Sequence, residues 1–139
     1  MYRTFEHTAD VGLHVEAPAL AELLAEAGRA LVALLVARPD AAEPRERQTV
    51  ELSAERLDDL LHDYLAELLY RFDAEGFVPA TQEIDAEVGP PARLRATLAG
   101  ERFDAARHGG GADVKAITYH GLRVEPTDAG YTAEVIVDV

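Results

Sequence analysis

The sequence contains no cysteine, which excludes a disulfide framework, a thiolate metal site and a cysteine nucleophile. It also lacks a long hydrophobic run. The longest, Ala30 to Ala37, falls far short of the roughly 20 apolar residues that cross a bilayer. No apolar stretch follows Met1-Tyr2-Arg3, so nothing there resembles a signal peptide, and a cytoplasmic protein is the expectation. Positive charge is scarce. Lys and Arg total 13 against 26 Asp and Glu, a formal net charge of −13, and the isoelectric point is near 4.6. Such a surface repels phosphate, which argues against direct binding to RNA or DNA. It leaves open an indirect role, by docking on a basic partner; solubility alone is the plainer reading. Lysine is nearly absent too: Lys115 stands alone among arginines, which marks it as a place where a compact ammonium is used. No G-x-S-x-G, H-E-x-x-H or EF-hand pattern occurs. Gly109-Gly110-Gly111 has neither G-x-G-x-x-G spacing nor a following Lys-Ser/Thr, so it is not a nucleotide loop.

What is present fits one domain over residues 1–139, since the length is that of an ordinary domain and no composition break divides it. Tyr2 to His7 reads as a first strand, and Val11, Leu13 and Val15 alternate as a second. Pro18 opens a helix whose Leu20, Leu23, Leu24, Ala27, Leu31, Leu34 and Leu35 share one face. Pro39 to Arg47 is a loop and Gln48 to Leu52 a short strand. Ser53 then caps a second amphipathic helix, which ends near Gly76. Thr81 to Val88 and the strand through Leu94, Ala96 and Leu98 form a hairpin around Gly89-Pro90-Pro91. The triple glycine predicts a mobile loop over Arg107 to Asp113. Lys115 to Thr118, Leu122 to Glu125 and Tyr131 to Asp138 are three further strands. Many strands and two helices predict an α+β fold, mostly antiparallel sheet with the two helices packed on it.

Two places concentrate groups able to do chemistry. Glu6-His7-Thr8-Ala9-Asp10 sits at a strand break, and Asp138-Val139 ends the sequence. Asp10, the Asp138 side chain and the Val139 terminus together would make an all-oxygen ligand set, which suits Ca²⁺ or Mg²⁺. The competing reading is of frayed ends with no ligand. His7 and His120 are candidates for a metal or acid–base role, although a hydrogen-bonded structural histidine is the plainer reading of each. His14, His62 and His108 are assigned surface roles.

Several segments resemble the archease family. Phe5-Glu6-His7-Thr8-Ala9-Asp10-Val11-Gly12 is similar to its N-terminal signature. Glu67-Leu68-Leu69-Tyr70 with Phe72-Asp73-Ala74-Glu75-Gly76-Phe77 is similar to its second-helix signature. Gly100-Glu101 with Phe103-Asp104, Val114-Lys115-Ala116-Ile117-Thr118-Tyr119-His120 and Val135-Ile136-Val137-Asp138-Val139 follow in family order. The resemblance implies an accessory protein, not an enzyme, acting in tRNA splicing and RNA repair. Its partner would be an RtcB-type GTP-dependent RNA ligase, whose guanylylation and multiple turnover it promotes. It also implies a divalent metal, Ca²⁺ before Mg²⁺ or Mn²⁺, held by Asp10, Asp138 and a Val139 oxygen. His7, Lys115 and His120 lie inside the signatures and are candidates for a functional surface. The sequence departs from the family pattern in having no tryptophan, with Tyr64 and Tyr131 in its place, and in having Ala66 where an amide residue is common. Two other functions stay open at this level. One is a small metal-dependent hydrolase with His7 or His120 as base; the other is a chaperone-like adaptor for an RNA-modifying enzyme.

Overall fold

The computed structural model describes residues 10–139; the strand expected over Tyr2 to His7 lies outside them. Alternating apolar residues place Val11, Leu13 and Val15 on the inner face of β1, Asp10–Ala17. Helix α1, Leu20–Leu35, buries Leu23, Leu24 and Leu31 completely, and each such leucine contributes about 1.5–3 kcal/mol relative to an exposed one. Pro18 does not open this helix. It precedes the N-cap, Ala19, whose backbone is extended. A 3₁₀ turn, Pro39–Ala41, leads to β2, Glu46–Ala54, which is longer than expected and includes Ser53. Ser53 therefore does not cap α2, Leu57–Glu75. Its N-cap is Arg56, without a side-chain cap, and Asp58 and Asp59 supply negative charge to the first turn instead. Gly76 closes α2 with a left-handed φ of 67°, where glycine carries no Cβ penalty.

The expected hairpin is present as β3, Phe77–Glu87, and β4, Ala92–Arg102. Pro79 sits at a register shift on β3, an edge strand where a missing N–H is tolerated. A single-turn helix α3, Ala105–His108, is capped by Asp104 Oδ1, which accepts from the Ala106 N–H at 3.0 Å. The chain then makes β5, Ala116–Ile117, β6, Arg123–Thr127, and β7, Gly130–Asp138.

The described strands form two antiparallel sheets. One has the order β2-β4-β3; in the other β7 pairs with β1, β5 and β6. Helices α1 and α2 each touch strands of both sheets, so one continuous apolar core joins them. Tyr64 lies in it, fully buried, with its hydroxyl donating to Gln82 Oε1 at 2.5 Å. Burial pushes that phenol well above its ordinary range, against the opposing charges of Arg29 and Arg71.

The triple glycine is not a mobile loop. Gly110 bridges to Val36, and the N–H groups of Gly111 and Ala112 donate to the carbonyls of Leu35 and Leu34 at 3.2 and 2.7 Å. A Cβ on Gly111 would lie 2.2 Å from the Leu34 oxygen. The glycine is there for close approach to the end of α1, a use that composition alone does not separate from flexibility.

Candidate functional site

The pairing of β1 with β7 places Asp10 directly opposite Asp138. On the same β7 residue, Ala116 of β5 is also in register, and the Lys115 N–H donates to the Asp138 carbonyl at 2.8 Å. Residues far apart in sequence thus meet at one corner. Asp10 and Lys115 are exposed, while Asp138 and Val139 are half-buried. The Asp138 carboxyl is held above the ordinary carboxylate range, first by a side-chain hydrogen bond with Asp10, then by burial and by repulsion from the Asp10 charge; the Lys115 ammonium opposes the rise. Among the described residues, two carboxylates share this corner with one lysine, and negative charge is left over.

That donor set is compatible with a hard divalent cation. The ligands are oxygens, and a cation would relieve the repulsion that Asp138 feels. Among the described residues, no group of three or more His, Cys, Asp or Glu side chains forms a metal cluster. Asp10 and Asp138 would provide two ligands to such an ion, and an oxygen of Val139, next in the chain, the third.

The other expected residues are distributed differently. His7 lies outside the described residues. His120 is exposed in the turn after β5, with its N–H directed to Thr118 Oγ1 at 3.3 Å. His14 keeps a surface position, and its imidazole pKa is raised by the hydrogen bond to Glu16 and then by Glu134. His62 is only 12% exposed: its Nε2 meets the Ile117 carbonyl at 3.0 Å, and its ring stacks on Tyr119 at 3.8 Å. His108 does not have the surface role its loop position suggested. It is fully buried, its Nδ1 accepts from the Asp104 N–H at 2.8 Å, and its Nε2 lies 2.8 Å from Glu101 Oε1. Glu101 itself is buried and also receives Arg107 at 2.6 Å and Arg45 at 2.9 Å. Sequence reading overlooked this pair; the signal was the His108 spacing from Glu101 and Asp104, both in one family-like segment.

A sequence profile of the Archease protein family (MTH1598/TM1083) matches residues 2–139. The chain belongs to the archease family. Among its relatives, the protein archease of Archaeoglobus fulgidus is 38% identical over 138 residues, covering 99% of this chain and 98% of the relative. That of Methanopyrus kandleri is 36% identical over 141 residues, covering 99% of each. The archease fold is also found in solved structures. The solution structure of protein 1598 from Methanobacterium thermoautotrophicum has a TM-score of 0.74 at 26% identity, covering 97% of this chain and 96% of that one. The crystal structure of an archease from Thermotoga maritima has a TM-score of 0.67 at 22% identity, covering 100% and 98%, and shares the fold. Among the described residues, no helix is long and apolar enough to cross a membrane.

Proposed function

We propose that this chain is an accessory protein of RNA ligation, which activates an RtcB-type GTP-dependent RNA ligase by promoting its guanylylation and multiple turnover. Family membership over residues 2–139 is the observation that carries this reading. The charge distribution supports it: a chain of net charge −13 is poorly suited to hold RNA itself and well suited to dock on a basic, RNA-binding enzyme.

Within this reading Asp10, Asp138 and a Val139 oxygen hold a divalent cation, with Ca²⁺ the first choice. When bound, the cation supplies positive charge that neutralises the two carboxylates. The chain's own residues do the rest. Pairing of β1 with β7 holds Asp10 and Asp138 face to face. The backbone bond from Lys115 to Asp138 fixes where the lysine strand leaves the corner. Lys115 then presents an exposed ammonium beside the acidic pair, available to a partner or to a phosphate held by the partner. The protein acts in the cytoplasm, and RNA reaches it only through the ligase.

The test is RNA ligation and GMP loading by the cognate ligase at sub-stoichiometric ligase, with and without this protein. The expected result is increased GMP loading and more than one turnover per ligase, with no turnover of RNA or GTP by the protein alone. Unchanged loading, or hydrolysis by the isolated protein, would overturn the reading.

A further inference from the structure

Three large hydrophobic side chains are markedly exposed among the described residues: Tyr70, Val88 and Tyr119. Tyr70 lines a groove, and Tyr119 stacks on a residue that lines it. Tyr70 of α2 lines an open groove of ≈ 500 Å³ between α2 and β5, together with His62, Ala66, Leu69, Asp73 and Ile117. Tyr119 stands at the same place through His62, on whose ring it stacks at 3.8 Å with the planes 17° apart. His62 is itself anchored by the Ile117 carbonyl and Asp63 Oδ1, each at 3.0 Å. Tyr70 and Tyr119 are nevertheless 64% and 63% exposed, which folding alone does not account for.

The surroundings select the occupant. Asp73 is exposed on the wall, and Asp63 lies beside His62. The nearby helix cation, Arg71, is directed elsewhere, to Glu67, Gln48 Oε1 and the Thr49 carbonyl. A floor of aromatic and aliphatic carbon with carboxylates around it attracts a guanidinium, which stacks on tyrosine and pairs with carboxylate at once. We propose that this groove is a docking site for an arginine-bearing segment of a partner protein, with Tyr70 and Tyr119 as its aromatic anchors. Single-stranded RNA would also stack on tyrosine, but the net charge of −13 opposes its phosphates, and like charge opposes a second copy of this chain. The groove adjoins the acidic corner, because Ala116 at its edge pairs with Asp138. A partner seated here would therefore reach both.

That the partner is the RNA ligase rests on the function proposed above. The experiment measures affinity of the whole protein for the cognate ligase with Tyr70→Ala, Tyr119→Ala and Asp73→Lys, and with Arg95→Ala on the far sheet as control. Circular dichroism melts confirm that each variant is folded. Each groove variant should weaken the complex about tenfold or more, the control should leave it unchanged, and wild-type affinity should fall as salt rises. A complex equally tight in all variants would overturn the groove alone; no complex with wild type would overturn the accessory reading and this docking together. Tyr70-dependent binding of single-stranded RNA, or Tyr70-dependent self-association in sedimentation, would replace the arginine segment with that other occupant.

Discussion

Glu101 and Asp138 are both carboxylates at strand positions, and they meet opposite surroundings. Burial by itself would raise the Glu101 carboxyl. Hydrogen bonds from His108, the Glu43 backbone and Arg107, with the Arg107 charge, outweigh it and hold the group below its ordinary range. Asp138 faces Asp10, and its carboxyl is held above that range. At Glu101 every oxygen has a donor. Among the described residues Asp138 has no such set of donors, and its carboxyl faces another acid. The difference separates two uses of one residue type. A carboxylate saturated with donors ties loops to a sheet, here the segment before β2 and α3 to β4. A carboxylate pair short of donors among the described residues repels itself and ties nothing together.

The largest difference between the two is expected at the saturated carboxylate. His108→Ala removes a buried ring together with its bonds to Glu101 and the Asp104 N–H. The expected cost is about 2–3 kcal/mol in urea unfolding, while Asp138→Asn measured without divalent ions should lose little or nothing. A larger loss for Asp138→Asn would invert the assignment.

Acid sharpens it. Because the folded-state pKa of Glu101 lies below its unfolded value, the unfolded chain binds the proton more readily. The stability this group contributes is therefore present above the ordinary carboxylate range and lost as pH falls through the lowered value. Thermal melts of wild type should decline over that acidic window, and Glu101→Gln, already weakened at neutral pH, should decline less. Parallel curves for the two proteins would remove Glu101 from the account.

The smallest change in stability is expected at Lys115. Its contribution to the corner's architecture is a backbone N–H, which alanine keeps. Lys115→Ala should leave the melting temperature nearly unchanged and lower activation of the ligase. A destabilised protein with full activation would assign the lysine to folding.

Much of this fold was legible because local signals and burial agree. The leucine stripes of α1 and α2, the stop at Gly76 and the Gly89-Pro90-Pro91 hairpin each follow from periodicity or turn chemistry, and the structure has them. Misreadings fall where tertiary contacts decide. Ser53 has the chemistry of a cap, but pairing with Arg93 of β4 keeps it in a strand. The triple glycine looks flexible until the end of α1 comes within reach of it. His108 looks exposed until Glu101, seven residues earlier, folds against it. The acidic corner was legible in part. Asp10 and Asp138 were visible as candidates, and their meeting required the β1–β7 register, which no local signal encodes. The Tyr70–Tyr119 groove was not visible at all, since helix periodicity cannot tell an exposed anchor from a tyrosine at the edge of the core.

The proposed function puts the cation at the unsaturated carboxylate pair and not at the saturated one. Calorimetric titration of Ca²⁺ into wild type, Asp10→Ala and Asp138→Ala tests it most directly. One saturable site is expected in wild type, lost in both alanine variants while their helical circular dichroism persists. Equal calcium affinity in all three proteins would contradict it and leave the corner as a structural meeting of two strand ends.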